Sequence, residues 1–131
     1  MEKEFVPYEL AVKLKAIGFD EECFGYYHVN VGYTKGYAFC YFDKPKRFKD
    51  GFDLLAPTFS QAFRWFREEY KMNGYVSLLE DGKSFCYMIH EDISVVYGNR
   101  ICSLPSKWLS HEEAELACLT KLIEIVETRT K

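Results

Sequence analysis

Long apolar runs, metal-ligand spacings and phosphate loops are all missing from this sequence, and each absence closes a class of function. No segment approaches the ~20 consecutive apolar residues that span a bilayer. The charged opening Met1-Glu2-Lys3-Glu4 leads into no apolar leader. The reading is a cytoplasmic protein without a membrane partner. There is no Walker loop and no G-x-G-x-x-G to cradle a phosphate, and no H-x-x-x-H or C-x-x-C to fix two metal ligands on one surface. Histidine is scarce, with only His28, His90 and His111. His90-Glu91-Asp92 reads as a polar turn at a strand end. No cofactor and no metal are expected.

The five cysteines, Cys23, Cys40, Cys86, Cys102 and Cys118, are odd in number and scattered, which describes reduced, buried thiols better than a disulfide frame. A thiol enzyme needs a base beside its cysteine. Cys23 and His28 are five residues apart on one expected strand, hence on opposite faces. Cys86 and His90 share a face but lie roughly 13 Å apart along it. Neither pair supports catalysis, and the chain is read as a non-enzyme. A net charge of -3 from well-mixed acids and bases gives no global field toward nucleic acid or an anionic membrane.

Aromatic residues are what the chain does have, with ten Tyr and eleven Phe in 131 residues. They suit strands and covered sheets, and the length suits a single domain over 1–131. Pro7 to Gly18 predicts a first helix with Pro7 at its first position, an apolar stripe of Leu10, Ala11, Leu14 and Ile17, and a left-handed cap at Gly18. Asp20-Glu21-Glu22 follows as a solvated loop. Cys23 to Asn30 and Tyr37 to Phe42 read as an antiparallel hairpin reversing near Gly32 and Gly36. Asp43 to Asp53 is then a charged connection whose Pro45 and Gly51 argue against regular structure.

Thr58 and Gln61 form a capping box for a second helix, with Phe59, Ala62, Phe63, Phe66 and Tyr70 inward and Trp65 at the edge. Tyr75 to Glu80 and Lys83 to His90 flank the turn Asp81-Gly82. Ile93 to Tyr97 is a third strand, and Gly98 to Leu109 a connector. Ser110 and Glu113 cap a last helix whose stripe is Leu116, Leu119, Ile123 and Val126, widened by Leu122 and Ile125. The sum is an α+β fold, order α-ββ-α-βββ-α, with a mainly antiparallel sheet of about five strands and three helices chiefly on one face. A short echo, Ala38-Phe39-Cys40-Tyr41 against Ser84-Phe85-Cys86-Tyr87, raises the question of an internal duplication.

Two resemblances bear on function. From Thr58 onward the order helix, three strands, Ser-capped Ala-rich helix resembles the layout of the double-stranded-RNA-binding domain, over a little more than half the chain. That family opens its last helix with basic residues across phosphates, whereas here the turn reads His111-Glu112-Glu113-Ala114-Glu115 and would repel them. Pro7 to Lys15, Gly18-Phe19-Asp20-Glu21, Gln61 to Glu68 and Glu112 to Leu119 resemble a group of short uncharacterised proteins of gut-bacterial genomes and their prophages. That resemblance implies a bacterial or prophage origin and carries over no catalytic residue.

The function so read is a non-enzymatic interaction or assembly protein. The alternative is a nucleic-acid-associated protein using the basic stretch Lys44, Lys46, Arg47 and Lys49. Tyr37, Phe39 and Tyr41 share one strand face and Phe85, Tyr87 and Ile89 another, while Ala38, Cys40, Ser84 and Cys86 lie on the opposite sides. If the small residues receive the helices, then Tyr37, Phe39, Tyr41, Phe85 and Tyr87 form a partner surface, with a homodimer as the expected assembly. In the other assignment the aromatic set is the internal core and the small set meets water.

Overall fold

A computed structural model describes residues 2–29, 36–47, 53–80, 82–91, 100–102 and 110–129. The α+β class holds, with three α-helices and antiparallel sheets alternating along the chain. The strands are divided between two three-stranded sheets rather than gathered into one. The chain separates into two compact units, Met1–Gln61 and Ala62–Lys131.

In the first unit α1 spans Tyr8–Ala16 and β1, β2 and β3 span Cys23–Val29, Tyr37–Lys46 and Asp53–Ala56. Pro7 is the cap residue of α1 rather than its first helical residue, with its carbonyl accepting from the Ala11 N–H at 2.9 Å. The helix closes where expected. Gly18 takes φ +106, and the Phe19 N–H reaches the Leu14 carbonyl at 2.9 Å while the Gly18 N–H reaches Lys15 at 3.1 Å. These two bonds make the glycine stop that satisfies the last helical carbonyls.

The sheet order is β2-β1-β3 with every pair antiparallel. β1 alternates cleanly, Cys23, Gly25 and Tyr27 buried and Phe24, Tyr26 and His28 open or half-buried. β3 follows suit, burying Leu54 and Ala56. The buried face packs on α1 and the segment before it: Tyr8 lies against Tyr27 at 5.5 Å, and the Tyr27 hydroxyl donates to the Val6 carbonyl at 2.7 Å.

The connection expected to lack structure between Asp43 and Asp53 is corrected at both ends. β2 runs on to Lys46 and β3 starts at Asp53. Pro45 is tolerated because β2 is an edge strand, where a missing N–H breaks no ladder. Between Cys23 and Gly25 the β2 partner jumps from Lys46 to Tyr41, a bulge that absorbs the intervening residues.

The helix α2, Phe59–Tyr70, carries the chain from one unit into the next. Only half of its capping box forms. The Gln61 N–H reaches Thr58 Oγ1 at 3.1 Å, but the Gln61 side chain donates instead to the Glu22 carbonyl at 2.8 Å. Trp65, expected at the edge of the stripe, is 5% exposed and packs edge-on to Phe66 and Tyr70.

In the second unit β4, β5 and β6 span Met72–Leu78, Phe85–Glu91 and Arg100–Cys102, in the order β4-β5-β6, and α3 spans His111–Arg129. β6 lies in the expected connector, whereas the expected strand Ile93 to Tyr97 falls outside the described residues. The β4–β5 loop is wider than a two-residue turn: the Leu79 N–H bonds the Ser84 carbonyl at 2.7 Å, and Gly82 takes φ +72 inside it. Asp81 is outside the described residues.

The α3 capping box is complete, with the Glu113 N–H on Ser110 Oγ at 3.1 Å and the Ser110 N–H on Glu113 Oε1 at 3.3 Å. The buried stripe is Ala114, Cys118, Leu119, Leu122, Ile123 and Val126, so the helix is turned relative to the expected stripe and Leu116 stays 39% exposed. Gly74 explains the turn. A Cβ there would lie 2.8 Å from Leu122 Cδ1 and 2.9 Å from Cys118 Sγ, so the small-residue side of α3 seats directly on the strand. The sequence echo does not extend to topology, since Phe39-Cys40 sits on edge strand β2 and Phe85-Cys86 on central strand β5.

Candidate functional site

The five aromatic residues expected to form one partner surface belong to two sheets, Tyr37, Phe39 and Tyr41 to β2 and Phe85 and Tyr87 to β5. Tyr37 stacks on Tyr8 at 4.1 Å with the rings 5° from parallel, and Phe39 packs 4.9 Å from Phe5 and 5.5 Å from Tyr27. Both are half-buried, on the side that faces Tyr8 and Phe5. Tyr41 shares their face and is 61% exposed. Phe85 meets the His111 ring of α3 at 5.3 Å, and the register puts Tyr87 on the same face as Phe85 and Gly74. α1 and α3 therefore sit on the aromatic side of their sheets, where the small residues were expected to receive them; on β5 the opposite side, with Ser84, Cys86 and Met88, is buried as well. Aromatic rings supply the area a helix needs to bury, and Gly74 lets α3 approach closely; a Cβ on Gly25 would meet the ring of Phe5, in the segment before α1, at 2.7 Å.

What remains open in the first unit is the other sheet face, with Phe24, Tyr26, Phe42, Cys40 and Leu55. Phe24 is 45% exposed, and Tyr26 stacks on Phe42 across the strands at 4.6 Å. The alternation along β1 carried this signal, because Phe24, Tyr26 and His28 occupy every second position. On the same face the His28 Nδ1 meets Asp53 Oδ1 at 2.7 Å, a cross-strand pair that sequence spacing does not reveal.

The basic stretch is not a free loop. Lys44 and Lys46 lie on β2, the Lys46 ammonium sits 4.3 Å above the Phe42 ring, and Arg47 pairs with Asp20 at 3.5 Å. Lys49 is outside the described residues. Within the second unit two histidines lie apart: His90 bonds the Tyr75 hydroxyl at 3.0 Å at one end of β5, and His111 lies against Phe85 at the other. Among the described residues no group of His, Cys, Asp and Glu is placed to hold a metal ion. Burial pushes the Cys23 and Cys118 thiols up to about 12, and the nearby Glu21 and Glu115 carboxylates push the same way, so neither is a nucleophile near neutrality.

One pocket of about 190 Å³ opens in the first unit, lined by Ala11, Lys15, Gly18, Phe19, Asp20, Asp53, Leu54 and Leu55. Its floor is apolar and its rim carries three charged side chains. Among the described residues no helix is long and apolar enough to cross a membrane. Compared with known proteins, the chain matches no family model, no curated protein and no solved structure.

Proposed function

We propose that this chain is a non-enzymatic interaction or assembly protein of bacterial or prophage origin that pairs with a second copy of itself along the outer edge of β2. The observation that carries the reading is the half of β2 from Tyr37 to Tyr41: a sheet edge made of five apolar residues, with β1 on its inner side and no strand on its outer side among the described residues. Native proteins guard such edges with Lys, Pro or bulges. Here Lys44, Pro45, Lys46 and the bulge all lie in the other half of the strand. Antiparallel pairing of two copies of β2 about a twofold axis is self-complementary, as a two-fold interface requires. It brings the exposed Tyr41 and the open face around Phe24 and Phe42 beside the partner.

Light scattering coupled to size exclusion tests this. The expected result is a dimer at tens of micromolar, weakened roughly tenfold by Tyr41→Lys, a substitution that places a charge on the pairing edge. A monomer throughout that range removes the reading.

The nucleic-acid reading, with Lys44, Lys46, Arg47 and Lys49 as contacts, has less support, because Lys46 and Arg47 already engage Phe42 and Asp20. The same preparation titrated with oligonucleotides over a salt series decides it, since phosphate contacts make affinity fall steeply with salt.

A further inference from the structure

We propose that the groove between α1 and the free edge of β3 binds an extended peptide as an added strand, with an aliphatic side chain in the pocket and a carboxylate of the peptide at Lys15. This goes beyond the β2 pairing, since it concerns the opposite edge of the sheet and a different occupant.

The lining shows what the pocket opens onto. Successive residues of a strand point to opposite faces, so a cavity over one face touches alternate residues. This one is lined by three consecutive residues of β3, Asp53, Leu54 and Leu55, as an opening onto the strand's edge would be. The order β2-β1-β3 leaves that edge without a strand partner among the described residues. The facing wall is α1, where Ala11 and Lys15 lie one turn apart, followed by Gly18 and Phe19. Beside Gly18 there is open space, with no atom within 4 Å of where a Cβ would lie. An edge strand facing a helix across an apolar groove is the geometry in which a peptide is recognised by strand addition, main chain for affinity and pockets for side chains.

Size and charge select the occupant. About 190 Å³ over Ala11, Phe19 and Leu54 suits one aliphatic side chain, well below the ~300–1,000 Å³ of sites for drug-sized molecules. β3 offers only four residues and is walled by α1, so a folded sheet edge has no access and a single extended strand does. Of the three charged groups on the rim, Asp53 is held by His28 and Asp20 by Arg47. Lys15 has no ion pair among the described residues, and its ammonium calls for an acidic group on the ligand: a peptide C-terminus, Asp or Glu.

The test uses the full chain as bait for a displayed library of random decapeptides, with the recovered peptides synthesised and titrated by fluorescence anisotropy. Recovered sequences are expected to place an aliphatic residue beside Asp, Glu or the free C-terminus, and to shift first the amide resonances of Asp53 to Ala56. Lys15→Glu, at an exposed helix position, should weaken binding roughly tenfold at low salt, while Lys15→Arg retains it. Recovery of no binding peptide, or of peptides indifferent to Lys15→Glu and mapping away from β3, overturns the proposal. The dimer mass of Lys15→Glu, measured in parallel, separates the two readings, because loss of peptide binding with an unchanged mass concerns this groove alone.

Discussion

Gly74 seats α3 on its sheet and Gly25 admits the Phe5 ring, and neither is conspicuous in the sequence. Each sits inside a strand, where glycine weakens the strand unless something approaches closely, and in each case something does. At Gly74 the neighbours are Leu122 and Cys118, so Gly74→Ala drives a methyl group against a fully buried leucine. The expected cost is about 1–3 kcal/mol, read as a lower urea midpoint at constant slope, and partly recovered in Gly74→Ala with Leu122→Val. No loss on Gly74→Ala would mean that α3 is not seated on the strand as described. At the same scale, the pair His28 and Asp53 became visible only in the fold, because residues twenty-five apart in sequence meet through the β1–β3 register.

Elements were legible wherever local chemistry decided them. The Ser110 and Glu113 box starts α3 because both orphan amides are satisfied within four residues of chain. Ser110→Ala should lower stability by about 1 kcal/mol, and Ser110→Asp should restore most of it, as followed by urea denaturation. Thr58 keeps one arm only, since the Gln61 amide is drawn to the Glu22 carbonyl, a contact between residues thirty-nine apart that no local pattern encodes. The rotation of α3 has a similar origin. Six apolar positions, Leu116 included, offered a wide stripe, and the choice of Ala114 and Cys118 over Leu116 was made by the strand opposite. β3 was missed because four residues between Gly51 and Pro57 are too few to show a period.

For the molecule as a whole, both units bury thiols, Cys23 in the first and Cys86 and Cys118 in the second. Cys23 and Cys118 are raised from 9.0 to about 12, chiefly by burial. An acid whose folded pKa lies above its unfolded value holds its proton more tightly in the folded state, so stability is fully present below about pH 9 and falls as pH rises toward 12. Tyr27, also pushed up by burial, adds to the same slope. Each unit of pKa difference is worth about 1.4 kcal/mol, so denaturation series from pH 8 upward should show a steep alkaline loss. Cys23→Ala and Cys118→Ala should each flatten it. A pH-independent midpoint across that range would show that these thiols are not buried.

Local sequence was enough for the α+β class, the alternation of helices and strands, the Gly18 stop and the Ser110 cap. All of these rest on interactions spanning a few residues, where periodicity and capping act. Only the packed chain shows that the described strands form two sheets, that α1 and α3 sit on the aromatic faces, and that Tyr37 and Phe39 are half-buried while Phe24 and Tyr41 are exposed. Both faces of β2 and β5 are apolar, so hydrophobicity along the strand cannot say which one a helix will take. Under α3 the choice falls to close approach at Gly74, a property of two surfaces brought together rather than of either stretch of chain.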